Sequence, residues 1–259
     1  MKNKRVVYTC LTGGYDCLVQ HEYVDPDYDY ICFSNDFNVD CVGHWKIRKI
    51  DFETCDLQLL SRYPKLQPHK MLQDYEESIY VDANIMIKDD TLFRRVKELS
   101  SQRILLAGMK HQLRQCLYEE SLFLMLEFRS KNNRLMIEQM RKYKKEGFPR
   151  RFGMYEANVI YRKHNETLVV SVDDEWWFQR KNYSHRDQLS FSYALWKYSV
   201  PWNYLLPETF WARNHPGFAC PMHPGKKRTG IRRLLNIYFK YLIPVLHRFM
   251  FPFYYKMVL

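Results

Sequence analysis

The chain has 259 residues, 46% apolar and 16% aromatic, which suits one large α/β domain or one domain with an appendage. Its net charge of +11 is concentrated at one end, because eight basic and no acidic residues lie between Lys226 and Leu259. The body before them is nearly balanced, which argues against a nucleic-acid-binding body carrying its charge on a folded face. Twenty Tyr and six Trp suit a core of polar-tipped aromatics or a cleft that stacks flat ligands such as sugars.

The seven cysteines are odd in number and form no Cys-x-x-Cys. Met1-Lys-Asn-Lys-Arg runs into an apolar strand with no long apolar stretch between. Both features point to reduced, mostly core thiols in a cytosolic protein.

Residues 5–11 read as a first strand, followed by the loop Thr12-Gly13-Gly14-Tyr15-Asp16. Asp29–Ser34 is a second strand, and Trp45–Ile50 a third nearer an edge, where charges alternate with apolar residues. In 61–70, Pro68 fits the first turn of a helix, which places Arg62, Lys65 and Lys70 near a helix N-terminus suited to a diphosphate. A solvated basic face explains the same residues. Ile79-Tyr80-Val81 and Ile85-Met86-Ile87 are two short buried strands, with Asp82 and Asn84 between them. A helix follows at 91–99, then a strand at 104–107. His111–Lys145 reads as two helices broken near 130–133, with His111, Arg114, Tyr118 and Glu119 or Glu120 available to a cleft. Glu156–Arg162 is a late strand, and Glu166–Arg180 a helix. Ser184-x-x-Asp187 matches a capping box for the next helix, so Asp187 has a purely structural reading. Leu205-Leu206 is a final short strand.

No repeat or low-complexity stretch is present. Strands alternating with helices imply a mixed, mostly parallel sheet flanked by helices, with ligands at the carboxyl ends of strands, where Thr9, Asp82 and Asn84 fall. Nucleotide-loop, hydrolase and metalloprotease signatures are missing: there is no Gly-x-Gly-x-x-Gly, Gly-x-Ser-x-Gly or His-Glu-x-x-His. Asp82 and Asn84 offer hard oxygens for Mg²⁺ or Mn²⁺ held together with substrate phosphates, and His215 is the candidate third ligand. The alternative for Asp82 and Asn84 is a plain turn. His215, Cys220 and His223 form a softer, zinc-like rival set.

Short motifs fall in one order. They are Tyr8-Thr9 with Gly13-Gly14-Tyr15-Asp16, Ile31–Ser34, Trp45–Ile47, Lys65-x4-Lys70, Val81-Asp-Ala-Asn-Ile85, His111-x2-Arg114-x3-Tyr118-x-Glu120 and Ser184-x-Arg-Asp-Gln-Leu-Ser190. This order, over about residues 5–215, resembles the glycosyltransferase-like domain of plant TOD/MUCI-type proteins and bacterial polysaccharide loci, related in outline to family 8 glycosyltransferases. The resemblance implies a GT-A fold (Rossmann-like) and transfer of a sugar from a nucleotide-sugar donor, with UDP the commonest, to a glycan or lipid-linked acceptor in surface polysaccharide synthesis. It implies a divalent metal at Asp82 and Asn84, where the family has Asp-x-Asp. It places Thr9, Gly13 and Tyr15 near base and ribose, Lys65 or Lys70 near the diphosphate, and Arg186 with the donor. Asp187 would hold donor-sugar hydroxyls and Gln188 would face the anomeric carbon, as expected for retention. If Asp187 or Glu156 acted as a base on the acceptor, inversion would follow. The neutral Asn84 leaves a second reading, a non-catalytic nucleotide- or sugar-binding module with a decayed site.

Residues 1–225 form the expected domain and 226–259 a basic, aromatic, amphipathic segment. Pro244, Pro252 and recurring charges make the segment a poor membrane span. It reads as a peripheral contact with an anionic inner-membrane surface, or alternatively as a last helix packed on the body. An adaptor working through this tail alone is the third reading.

Overall fold

The computed structural model describes residues 4–14, 16–207, 209–221 and 238–259, with the side chain of Phe239 left aside. A seven-stranded sheet runs in the order β3-β4-β2-β1-β5-β8-β7. Its members are β1 (Arg5–Cys10), β2 (Tyr28–Phe33), β3 (Cys41–Val42), β4 (Trp45–Arg48), β5 (Glu77–Val81), β7 (Leu106–Lys110) and β8 (Tyr155–Arg162). Strands β1, β2, β4 and β5 are parallel, while β8 pairs antiparallel with both β5 and β7. The carboxyl ends of β1, β2, β5 and β7 therefore share one sheet edge with the amino end of β8. This is the mixed, mostly parallel sheet that the alternating pattern implies. β4 is one strand in from the edge, covered by the short antiparallel β3.

Strand side chains alternate between two apolar layers. Val6, Tyr8, Cys10, Ile31, Phe33, Tyr80 and Ile160 pack with helices α1 (Leu57–Leu66), α6 (Thr167–Asn182) and α7 (Gln188–Lys197). Val7, Cys32, Ile79, Val81, Val159 and Tyr161 pack on the other face, against α3 (Thr91–Ser101). Helices α4 (Leu117–Leu126) and α5 (Asn133–Lys145) enclose a third cluster. A small second sheet joins β6 (Met86–Ile87) to β9 (Phe218–Ala219).

The elements differ from expectation at several points. Helix α1 lies where no helix was expected up to residue 60, capped by Asp56, whose carboxylate accepts from Gln58 and Leu59 N–H. Arg62 and Lys65 thus belong to the body and last turn of α1, and Lys70 to the last turn of the four-residue α2 (Pro68–Met71). The helix-dipole argument for these cations fails, because that end of a helix disfavours an anion. Leu205-Leu206 is no strand; among the described residues Tyr204 makes an isolated bridge with Gly108 on β7, and the last described strand is β9. The cysteines are all free, but Cys17, Cys41 and Cys55 are exposed, so the thiols are not mostly core.

Of the basic segment, residues 226–237 lie outside the described residues. Beyond them α8 (Ile243–Phe253), bracketed by π-helical turns at Tyr238–Leu242 and Tyr254–Val258, packs back on α4. Phe251 and Tyr254 are buried there, with Tyr254 and Ser121 hydroxyls 2.9 Å apart. Tyr241, Val245, Phe249, Phe253 and Met257 remain on the outside. Among the described residues no helix is long and apolar enough to cross a membrane.

Candidate functional site

Alternation along β5 puts Tyr80 and Asp82 on the same face, toward α1, α6 and α7. The Tyr80 hydroxyl donates to Asp82 Oδ1 at 2.7 Å. From α1, Lys65 passes over the Tyr80 ring, 4.9 Å from its centroid, and places Nζ 3.5 Å from Asp82 Oδ1 and 3.0 Å from Asp187 Oδ2. One helical turn earlier, Arg62 Nε lies 3.2 Å from the same Asp187 oxygen. Lys65 is 4% exposed at its side chain and Asp187 13%, whereas Asp82 is 37% exposed and forms the open side of the cluster.

The position of Lys65 is fixed from behind. Arg162, fully buried on β8, donates to the Lys65 carbonyl at 2.7 Å, the Tyr8 hydroxyl at 2.5 Å and Asp173 Oδ1 at 2.7 Å. Burial pushes the Asp173 carboxyl up to about 7, against the pull of the Arg162 charge.

Asp187 does not act as a helix cap. It precedes α7, but its side chain makes no cap hydrogen bond, and the Ser184 hydroxyl accepts from Arg186 N–H instead. Burial alone would raise the Asp187 carboxyl, but Lys65, Arg62 and Arg186 outweigh it and hold the group well below the usual carboxylate range. A carboxylate that acidic is a poor general base and a good fixed negative charge. The Asp187 charge in turn raises the Arg62 guanidinium.

Glu156 reaches the same sheet edge by another route. The β7–β8 register jumps from Gly108–Ile160 to Met109–Glu156, a bulge that sets Glu156 and Asn158 beside the end of β5. Asp82 N–H donates to the Asn158 carbonyl at 2.9 Å, and Asn158 Nδ2 donates to Glu156 at 2.9 Å. Burial is the main cause that raises the Glu156 carboxyl, with nearby Asp82 adding to it. Beyond β7, a cavity of about 170 Å³ is lined by residues from Lys110 to Gln115 and by Trp211. His111 and Arg114 line it, while Tyr118 and Glu120 are buried, the first donating to Phe148 carbonyl and the second paired with Arg114.

For a divalent cation, the residues present offer a limited donor set. Asp82 Oδ1 is taken by Tyr80 and Lys65, which leaves Oδ2 and the half-buried Asn84 amide oxygen at the turn. One carboxylate and one amide fit a Mg²⁺- or Mn²⁺-like ion that takes its other ligands from substrate phosphates and water. His215 Nδ1 accepts Gly217 N–H at 3.0 Å, with Asp89 as its charged neighbour. The ring must release Gly217 before either of its nitrogens becomes a ligand in the usual arrangement. Among the described residues no three His, Cys, Asp or Glu side chains gather in a metal-binding group, and His223 of the zinc-like set lies outside them.

The remaining expected residues are spread around this centre. Gly13 and Gly14 both take left-handed φ, +69° and +58°, so the loop after β1 needs glycine there. Gly14 N–H donates to Asp36 and the Thr12 hydroxyl to the Leu57 carbonyl, which pins this loop between β2 and α1. Tyr15 lies outside the described residues. Thr9 is fully buried with its hydroxyl unpaired among the described residues. Gln188 opens α7, half-buried, next to Asp187. Lys70 is not brought to the centre; its Nζ lies 3.8 Å from Asp174 on α6. Tyr80, which the sequence did not single out for the site, joins it, and Arg62, expected with Lys65 and Lys70 at a diphosphate, reaches Asp187 instead. The Arg62-x2-Lys65 spacing carries that signal once α1 is recognised.

Comparison with known proteins follows this geometry. No curated protein matches the chain. Among solved structures, it is similar to the galactosyltransferase LgtC in complex with donor and acceptor sugar analogues, at 15% identity and a TM-score of 0.43, covering 72% of this chain and 69% of that one. It is also similar to mouse xyloside xylosyltransferase 1 in its apo form, at 8% identity and a TM-score of 0.44, covering 76% and 83%. A third is the apo WbbM bifunctional glycosyltransferase, at 13% identity and a TM-score of 0.39, covering 72% and 36%. The family model for the TOD1/MUCI70 glycosyltransferase-like domain matches residues 6–211, a span that holds β1, α1, Asp82, Glu156 and Asp187. The chain therefore belongs to the TOD1/MUCI70 glycosyltransferase-like domain family and is a transferase of that kind.

Proposed function

We propose that the protein transfers a sugar from a nucleotide-sugar donor, UDP-linked by expectation, to a glycan or lipid-linked acceptor of surface polysaccharide. The observation that carries this reading is the Lys65 ammonium held between Asp82 and Asp187 at the carboxyl edge of the sheet. Breaking a sugar–phosphate bond leaves negative charge on the diphosphate and positive charge on the sugar. In this reading Asp82 and Asn84 hold a Mn²⁺ or Mg²⁺ ion, whose contribution is charge neutralisation of the leaving diphosphate. Asp187, kept ionised by Lys65 and Arg62, accepts hydrogen bonds from donor-sugar hydroxyls. Gln188 presents an amide to the anomeric carbon, and Thr9 and Gly13 lie toward the base and ribose. The cavity bounded by His111, Arg114 and Trp211 accommodates the acceptor.

Titration of UDP separates this reading from a decayed binding module and from an adaptor. Binding strengthened by Mn²⁺ and accompanied by donor turnover is expected, with Asp82→Ala losing at least about a hundredfold in turnover while keeping its thermal midpoint. Full turnover in Asp82→Ala overturns the metal and diphosphate assignment.

Retention of configuration suits a site whose Asp187 is too acidic to serve as a base. One observation favours inversion instead: the raised Glu156 carboxyl beside Asp82 suits a general base. Proton NMR of the first-formed product decides the point. The donor's own anomeric configuration is expected, and the opposite anomer would transfer the catalytic role to Glu156.

We also infer that the outer face of α8 makes peripheral contact with an anionic membrane. Phe249 is 77% exposed, Phe253 62% and Met257 71%, on a segment without acidic residues. Sedimentation with vesicles containing phosphatidylglycerol is expected for the wild type and lost in Phe249→Asp/Phe253→Asp. Equal sedimentation of both proteins, or none with either, removes the membrane contact.

A further inference from the structure

Arg180, near the end of α6, is 4% exposed, yet its Nε and Nη2 are buried with no hydrogen-bond partner among the described residues. A buried guanidinium without a counter-ion is costly, by several kcal/mol in general. Neither acidic neighbour hydrogen-bonds these two nitrogens: Asp56 caps the first turn of α1 through Oδ1, and Asp187 is held by Lys65 and Arg62. Arg186, on the turn between α6 and α7, likewise has a buried, unpartnered Nε, and Arg62 Nε approaches Asp187 without hydrogen-bond geometry. Arg62 stands close enough to lower both Arg180 and Arg186, and burial, with Arg186, Lys131 and Arg180 adding to it, brings the His185 imidazole down to about 4. Three guanidinia and one ammonium thus crowd around Asp187, with Asp56 beside Arg180 and with Glu120, already paired to Arg114, beside Arg186. Asp82 lies 3.5 Å from Lys65 Nζ and adds to the negative charge felt by Arg62.

We propose that Arg62, Arg180 and Arg186 form a binding site for an anionic substituent, a carboxylate or a phosphate, carried by a sugar substrate seated against Asp187. The inference rests on the glycosyltransferase reading and adds the substrate class to it: the sugar beside Asp187 is acidic. Guanidinium forks bind both carboxylate and phosphate through paired N–H donors, which matches the free Nε and Nη2 of Arg180. The arginines come from α1, the end of α6 and the α6–α7 turn, whereas Asp82 and Asn84, the expected diphosphate position, follow β5.

Thermal midpoints of the full chain, with and without saturating UDP and Mn²⁺, test it with three probes: inorganic phosphate, D-glucuronate and neutral D-glucose. Phosphate, glucuronate or both should raise the midpoint of the wild type while glucose does not, and the apparent affinity should fall at least about tenfold in Arg180→Met and Arg186→Gln. A shift with glucuronate alone assigns a carboxylate-bearing sugar, and one with phosphate alone a phosphate-bearing sugar. Arg180→Met should itself melt higher than wild type without ligand, since it removes an unpaired buried charge. No anion-dependent shift, or equal shifts in wild type and both variants, overturns the proposal. Loss of the shift once UDP is bound also overturns it, because the arginines would then hold the diphosphate. Failure of UDP to bind, with the anion shift intact, sinks the nucleotide-sugar reading and leaves the anion site standing.

Discussion

The Lys65 ammonium, buried between Asp82 and Asp187, is the interaction on which the rest of this structure depends. An ammonium taken out of water is tolerated only with counter-charges in good geometry. Here they come from two distant parts of the chain, the end of β5 and the start of α7. Arg162 fixes the Lys65 backbone from below through its carbonyl and ties it to Tyr8 on β1 and Asp173 on α6. Six elements are thus held in register by one buried polar network. Arg162 Nε and Asp173 Oδ2 stay without partners among the described residues, while the bonds that are made supply the rigidity a preorganised site needs.

The charge balance of the network points outward, to ligands. Asp187 is surrounded by more positive charge than it can neutralise, and the guanidinia behind it retain buried donors without partners. Asp82 is the exposed member, with Oδ1 committed to Tyr80 and Lys65. The same edge thus presents an oxygen donor for a cation and, beside it, nitrogen donors for anions. That pairing matches a bond cleavage in which opposite charges develop on adjacent groups.

Much of this was legible in the sequence, and the failures have identifiable causes. The apolar runs around Asp82 read correctly as strands because burial on both faces leaves continuous hydrophobic stretches. Asp187 was singled out, although the capping-box pattern Ser184-x-x-Asp187 offered a competing role that the structure does not use. Helix α1 was missed because Pro64 inside it argues against a helix. The Asp56 cap was the available counter-signal, and missing it scattered Arg62, Lys65 and Lys70 onto the wrong surface. Lys70 was then grouped with Lys65 by proximity in sequence, whereas a break at Gln67 turns it toward Asp174. Arg180 and Arg162 gave no local signal at all. Their importance lies in which partners they have or lack, and that is decided by packing between segments about a hundred residues apart.

The central claim is that Asp187, held ionised by Lys65 and Arg62, binds the sugar and not the nucleotide. The direct measurement is the affinity of UDP and of the UDP-sugar that is turned over, each for the wild type and for Asp187→Asn. The account predicts that UDP binds both proteins alike, while the UDP-sugar loses the extra affinity conferred by its sugar. Equal weakening of UDP and UDP-sugar, or no weakening of either, would contradict it.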